Sequence, residues 1–370
     1  MKEHDPKILF IMHMPPPVHG ASMMGKYIHD SKVINDTFDC HFFNLTLARN
    51  LNDIGKGGVR KLLYFINQLA RIRKEIKKTR PNLCYVTPNA KGGAFYKDFF
   101  VIMLLKLMKQ QIVVHYHNKG VSTREDKILD NFLYQHFFKG LKVILLTKVL
   151  YKDIQKYVLQ KDVFFCPNGI PDTTRSTKSK KHQEIQILFL SNMITTKGVW
   201  ELVNACKILK DAGMKFKCHF IGKWSDITEQ EFNARIHQSG LDTYIIAHGA
   251  KYGEEKTKSL QKADIFVFPT YYPNECFPVV LLEAMQQKLP CISTNEGGIP
   301  DIIDEGKTGF IVEKRNVKQL AEKISYLINH PEQCKEMGEN GYKKYQEKFT
   351  LSVFENRMKE ILTECCKKTR

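Results

Sequence analysis

Long apolar runs, paired cysteines and, in one half, acidic residues are what this 370-residue chain lacks. Its most lipid-like stretch, Phe99–Leu105, is cut off by Lys106 and falls far short of the ~20 residues a spanning helix needs. Met1–Pro6 is charged and Ile8–Met12 is too short for a signal core, so no leader peptide is expected. The ten cysteines include no C-x2-C pair, and the adjacent Cys365 and Cys366 are poorly spaced for zinc. Scattered thiols suit a reducing compartment, and neither a disulfide framework nor a structural metal is expected. The shortage of acid is local. Residues 1–182 hold 31 Lys and Arg against 14 Asp and Glu, so nearly all of the formal charge of +18 lies there. That asymmetry points to an anionic partner, either nucleic acid or an acidic membrane surface. With neither a basic–aromatic RNA-binding signature nor a zinc finger, nucleic acid is the weaker of the two.

What is present is alternation. A hydrophobic content of 43% over 370 residues is too much for disorder and too large for one core, so two domains are expected. Short apolar runs punctuate longer helical patterns. In the first half they are Lys7–His13, Cys40–Phe43, Leu83–Thr87, Ile112–His117, Val143–Thr147 and Val163–Cys166. In the second they are Ile187–Ser191, Phe216–Ile221, Tyr244–His248, Ile265–Phe268, Cys291–Thr294 and Phe310–Val312. Strand–helix alternation predicts α/β domains with parallel, doubly wound sheets. The halves meet at Asp172–Gln183, which is polar, basic and without apolar residues. The expected organisation is a basic N-terminal domain over 1–172, a linker over 173–183, a second domain over 184–348 and a helical tail over 349–370. Ligands of such sheets bind beyond the carboxyl ends of the strands, so the expected site is a cleft between two facing domains.

One block, Phe268–Val312, is the most readable. An apolar run ends at Pro269, a polar loop covers Thr270–Glu275, and a helix pattern begins near Pro278 with Glu283 in its second turn. Val279, Val280, Leu282 and Met285 are expected to form its buried face. Backbone N–H groups at a helix start bind phosphate. A carboxylate one to two turns in can bind sugar hydroxyls. The arrangement suits a nucleoside diphosphate, with ribose on Glu283 and a second hydroxylated group near Glu275. Beyond the acid pair lie Gly297-Gly298-Ile299-Pro300-Asp301 and Gly306-Lys307-Thr308-Gly309-Phe310. Together these elements closely resemble the E-x7-E block of retaining, family-4-type glycosyltransferases of the GT-B fold. The resemblance implies two doubly wound Rossmann-like domains facing across a cleft, with the nucleotide-sugar on the C-terminal one. It also implies a last helix crossing back to the N-terminal domain.

The same resemblance assigns further residues. Ile187–Ser191 leads into Asn192-Met193-Ile194-Thr195-Thr196-Lys197-Gly198. The family commonly places an Arg five residues before this Lys, both directed at the donor diphosphate. Lys197 matches; Asn192 stands where the Arg is usual. An amide can hydrogen-bond phosphate without cancelling its charge, and a capping or turn role is the other reading of Asn192. Gly222-Lys223 and His248-Gly249-Ala250 each follow a strand, where small residues either admit a flat base or simply turn the chain. Cys276, Phe277, Pro278 and Val279 complete the donor-binding set, although Pro278 has no N–H to give. In the N-terminal half, Lys7–His13 leads to a loop ending His19-Gly20-Ala21, an anion cradle where the family often has Gly-Gly. His19, Gly20 and Ala21 are the acceptor-side residues, and Gly20 also serves the donor phosphates. Strand alternation puts His115 and His117 on one face. His117 aligns with the family histidine that reaches the donor sugar. Two histidines at i, i+2 could instead ligate metal, or be satisfied structural residues.

Glu275, His117 and Lys197 are thus the catalytic candidates. The implied donor is a nucleotide-diphosphate sugar, UDP-sugar favoured and GDP-sugar the alternative, with no bound cofactor or metal. Gly58–Arg80 sets Leu62, Phe65, Ile66, Leu69, Ile72 and Ile76 at helical spacing among Arg60, Lys61, Arg71, Arg73, Lys74, Lys77, Lys78 and Arg80. Such a helix either packs on a sheet or meets an anionic membrane surface. The expectation is a cytoplasmic enzyme, peripheral on the inner face of the cytoplasmic membrane. It would extend a glycan acceptor, lipid-linked, in capsule, O-antigen or exopolysaccharide assembly. A donor-binding subunit without activity and a nucleic-acid-binding protein are the alternatives; the oligomeric state is not legible.

Overall fold

The computed structural model describes residues 5–16, 20–45, 59–173 and 184–367. His19 and the expected linker from 174 to 183 lie outside the described residues. The chain forms two compact units, one built from residues up to Gly169 together with those from Leu351, the other from Ile170–Thr350.

The first unit begins β1 (Lys7–Met12), α1 (Gly20–Asp30), α2 (Lys32–Asn35), β2 (Asp39–Asn44), α3 (Val59–Thr79) and β3 (Leu83–Val86). It continues α4 (Gly92–Leu107), β4 (Ile112–His115), α5 (Ile128–Phe138), β5 (Lys142–Leu145) and β6 (Val163–Phe165). The six strands are parallel in the order β2-β1-β3-β4-β5-β6. The second unit runs β7 (Ile185–Leu190), α6 (Val199–Asp211), β8 (Phe216–Ile221), α7 (Glu229–Gln238), β9 (Ile245–Ala247) and α8 (Gly253–Lys262). Then come β10 (Ile265–Phe268), α9 (Val279–Gln286), β11 (Cys291–Thr294), α10 (Ile299–Ile302), β12 (Gly309–Val312), α11 (Val317–Asn329) and α12 (Pro331–Lys348). Its strands are parallel in the order β12-β11-β10-β7-β8-β9. Both sheets reverse direction at an internal strand, which is the doubly wound pattern.

All twelve expected strands are present, with ends shifted by a residue or two. The shift matters at β4, where the ladder stops at His115 and leaves Tyr116 and His117 in the loop beyond the sheet. The tail is three helices. α11 ends before Pro331, and α13 (Leu351–Cys366) belongs to the first unit. There Phe354, Met358, Ile361, Leu362 and Cys365 of α13 close over Ile8 and Phe10 of β1 and Met24 and Ile28 of α1. Each such fully buried side chain stabilises the unit by roughly 1.5–3 kcal/mol, so α13 is part of the first core.

The burial of two helices departs from the sequence expectation. In α9, Leu281, Leu282, Ala284 and Met285 are buried, whereas Val279 and Val280 are only half-buried. In α3, Ile72 and Ile76 pack inward as expected but Ile66 is 53% exposed. The second half of that helix lies on the sheet and the first half does not. No helix among the described residues is long and apolar enough to cross a membrane.

Candidate active site

The C-terminal edge of the second sheet gathers three loops. After β7 the chain makes a tight turn in which Met193 N–H donates to Lys223 O (2.8 Å) and Thr195 N–H to Asp226 Oδ1 (2.9 Å). Thr195–Lys197 forms one 3-10 turn, and Gly198 opens α6 with φ +87°. A Cβ at Gly198 would stand 2.3 Å from Pro269 O, so only glycine lets this turn lie against the end of β10. Tyr271 N–H in turn donates to Thr196 O at 2.8 Å. The Lys197 turn and the loop carrying Glu275 are therefore one hydrogen-bonded piece.

Within it, Lys197 Nζ lies 2.5 Å from Glu275 Oε2, with both side chains largely buried. The same ammonium sits 4.4 Å from the Tyr272 ring centroid, a cation–π contact. Glu275 is positioned from behind by Gly297. A Cβ there would fall 2.3 Å from Glu275 O, and Gly297 holds φ +56°. Gly298 N–H then donates to Cys276 O at 2.7 Å. The Gly-Gly-Ile-Pro element is thus the backbone rest on which the acidic loop lies.

Glu283 is held differently. Lys256 Nζ on α8 bonds its Oε1 at 2.6 Å, while its Oε2 is buried and has no protein partner among the described residues. One oxygen is fixed and the other is left to accept. Cys276, Phe277 and Pro278 are all buried, and the Phe277 ring packs edge-on against Phe349 at 5.8 Å. What they offer a ligand is backbone, and Pro278 as N-cap offers no N–H. Val279 follows half-buried. Asn192 is exposed. Gly222 has a plain packing reason, since a Cβ there would meet Ser191 O at 1.7 Å. Gly249 O accepts from Gly222 N–H, so these two loops are also joined. His248 turns instead into a cavity of about 420 Å³ lined by Gln186, His219, Lys251 and Lys262. Its Nε2 is 2.9 Å from His219 Nδ1. Burial, then the nearby Lys251 and Lys262, hold its pKa below the usual histidine value.

Three neighbours of the site have no sequence signal. Lys256 is one and Tyr272 another. The third is a cluster at the sheet's end, where the Arg315 guanidinium lies 4.5 Å over the Tyr271 ring and Glu201 neighbours both. Burial pushes the Glu201 carboxyl up from its ordinary value. Beside it, Lys314 pairs with the buried Glu296 at 2.7 Å. These pairings join helices and loops far apart in sequence, and no spacing rule signals them.

In the first unit, Gly20 opens α1, and no atom of the described residues lies within 4 Å of where its Cβ would be. Ala21 is half-buried behind it. His115 is fully buried and its Nδ1 is 2.7 Å from Tyr85 Oη. Burial, then the neighbouring His117, keeps it neutral by holding its pKa well below the usual value. The His117 ring tilts against it, with centroids 4.1 Å apart, and is half-buried. Among the described residues no group of three or more His, Cys, Asp or Glu is arranged to hold a metal ion. His115 is the anchor, fixed by Tyr85; His117 is the ring at the loop. That loop is locked by Asp153, whose carboxylate accepts from Gly120, Val121 and Ser122 N–H at 2.8–3.1 Å.

Two six-stranded parallel sheets and an acidic loop resting on a glycine-rich turn define a class, and the comparisons agree with it. Residues 172–344 match the family described as glycosyl transferases group 1. The capsular polysaccharide biosynthesis glycosyltransferase CapM of Staphylococcus aureus is 28% identical over 329 residues, 76% of this chain and 84% of its own. The putative colanic acid biosynthesis glycosyltransferase WcaL of Escherichia coli is 26% identical over 60% of this chain and 56% of its own. The crystal structure of Anabaena HepE in complex with UDP superposes with a TM-score of 0.76 at 16% identity, over 97% of this chain and 100% of that one. Residues 172–344 are thus a group 1 glycosyltransferase domain, of the retaining, nucleotide-sugar-dependent type with the GT-B fold.

Proposed function

We propose that this enzyme moves a sugar from a UDP-sugar to a lipid-linked glycan in surface-polysaccharide assembly, on the cytoplasmic side of the membrane. The observation that carries the donor reading is the pair Glu275 and Glu283, each already held by a lysine at the end of the second sheet. The names of the relatives support the pathway, and a UDP complex of a structural neighbour supports the base.

The leaving group carries the charge in this reaction, so a preorganised positive site is the main catalytic device. In the unliganded protein Lys197 is occupied by Glu275. The bound diphosphate draws the flexible ammonium to itself, which releases the Glu275 carboxylate toward the donor-sugar hydroxyls and the developing positive ring. Amides at the start of α9 take the remaining phosphate oxygens. Asn192 adds a hydrogen bond, and the missing second cation comes from Lys223, whose backbone is paired with Met193. His117, backed by the neutral His115, takes a donor-sugar hydroxyl. In front-face displacement the anomeric carbon–oxygen bond breaks toward the β-phosphate. The acceptor oxygen bonds to the same face, and its proton passes to the leaving phosphate oxygen.

Glu283→Ala tests the ribose assignment. Loss of a hydroxyl bond to the open Oε2 is worth about 1.5–3 kcal/mol, so the Kd for UDP rises roughly ten- to hundredfold by calorimetry. Lys256→Met, which frees Oε1 without removing the carboxylate, has a smaller effect. An unchanged Kd in a folded Glu283→Ala protein removes ribose from Glu283, and tighter binding of GDP than UDP reassigns the base.

His117→Ala lowers turnover more than it weakens UDP binding, because its partner is the sugar. A general acid–base or polar contact at this level contributes roughly 10²-fold. Full activity without His117 returns it to a packing role on His115.

A further inference from the structure

Most of the large exposed apolar side chains of the first unit gather on three helices, apart from Leu107 at the far end of α4 and Val149 and Leu159 after β5. Leu63 (59% exposed), Tyr64 and Ile66 lie on α3, Phe100 on α4, and Leu129 and Phe132 (54%) on α5. The three helices lie side by side. The Phe65 ring of α3 meets Phe100 of α4 at 6.2 Å, and Tyr96 Oη of α4 donates to Asp130 Oδ1 of α5 at 2.7 Å. Singly exposed apolar residues are ordinary, but a band across three neighbouring helices marks a contact surface.

Its position is fixed by the connections. α3 ends at Thr79, close before β3 begins, so it runs antiparallel to the strands. Gln68 Nε2 donates to Leu45 O, just past the end of β2. The nine residues of α3 before Gln68 therefore extend roughly 13 Å beyond the sheet, at 1.5 Å per residue. Leu63, Tyr64 and Ile66 are exposed on this stretch, whereas Gln68, Ile72 and Ile76 further along are buried. α4 starts directly after β3, and the Tyr96–Asp130 bond brings the start of α5 to the same end. The band thus rims the sheet edge that also carries the Gly20 turn and His117.

Charge selects the occupant. Behind the band on α3, Arg71, Arg73, Lys74, Lys77 and Lys78 are exposed, and Lys97 and Lys127 flank it on and before the other helices. Apolar side chains flanked by cations fit an anionic bilayer, with chains entering the acyl boundary and ammonium groups at the headgroups. We propose that the site-side ends of α3, α4 and α5 form a membrane-inserting face that docks the N-terminal unit on anionic lipid. Charge steers the approach and the apolar band anchors it, with the acceptor edge held at the headgroup level. The proposal rests on the lipid-linked acceptor reading above.

Phe132→Trp places a reporter on the band in the full-length protein. On vesicles of three parts phosphatidylcholine to one part phosphatidylglycerol its emission shifts to the blue, and brominated acyl chains quench it. The triple variant Ile66→Ser, Leu129→Ser, Phe132→Ser loses vesicle binding by two orders of magnitude or more, at roughly tenfold per large apolar side chain. The five-site variant with Arg71, Arg73, Lys74, Lys77 and Lys78 changed to Gln loses the salt-sensitive part of binding. An unquenched reporter on bound protein, or vesicle binding unaltered by the serines, overturns the proposal. So does a concentration-dependent dimer abolished by the serines without any lipid binding, since the face is then a self-interface. Transfer to a soluble acceptor analogue is measured in parallel. Its absence in the unmodified enzyme sinks the transfer reading and leaves the vesicle result standing.

Discussion

Lys197→Ala lowers turnover by roughly two to three orders of magnitude, as removal of a preorganised charge directed at a developing anion commonly does. The side chain is placed for it: largely buried, 2.5 Å from Glu275 and over the Tyr272 ring. Removing the ammonium also leaves the buried Glu275 carboxylate unpaired, and an orphaned buried charge destabilises a fold by several kcal/mol. A double variant, Lys197→Ala with Glu275→Gln, separates the two effects. It recovers melting temperature and does not recover turnover. Restored turnover in that double variant would make Lys197 a counter-ion for Glu275 and nothing more.

Gly297→Ala is the second large effect, and it acts without touching a ligand. The added methyl falls 2.3 Å from Glu275 O and 2.9 Å from Cys276 O, at a residue held at φ +56°. Backbone cannot yield as a side-chain tip can, so the acidic loop shifts by about an ångström. A displacement of that size at a catalytic group costs roughly a hundredfold. Steady-state kinetics therefore shows kcat/KM down by about that factor, while the neighbouring Gly298→Ala, which keeps the Cys276 bond and needs no positive φ, falls less. Unaltered kinetics in a well-folded Gly297→Ala enzyme contradicts the role given to the Gly-Gly-Ile-Pro turn.

The strands were legible because parallel strands covered on both faces read as unbroken apolar runs, as Ile265–Phe268 and Cys291–Thr294 do. The start of α9 was legible because Pro278 punctuates it. Its buried face was not, because an eight-residue helix enclosed on most sides has no clean 3.6-residue stripe. The family resemblance singled out Glu275 and Glu283 together. It could not show that each is held by a lysine, since Lys197 and Lys256 come from a 3-10 turn and a separate helix, 78 and 27 residues away. Alternation placed His115 beside His117, but only the Tyr85 hydroxyl on His115 distinguishes anchor from candidate. On α3 the 3.6-residue pattern is regular throughout, yet Ile66 is exposed while Ile72 and Ile76 are buried. Helix period is local information; the length of the surface beneath it is not.

The most direct test of the central claim is transfer itself. Purified enzyme is incubated with radiolabelled UDP-sugars and a membrane lipid extract, and the anomeric configuration of the product is read by NMR. The account predicts that one UDP-sugar passes its label to the lipid fraction, with release of UDP and the donor's anomeric configuration kept. The label is lost with Glu275→Ala. Transfer with inverted configuration, or undiminished transfer by the Glu275→Ala enzyme, would contradict it.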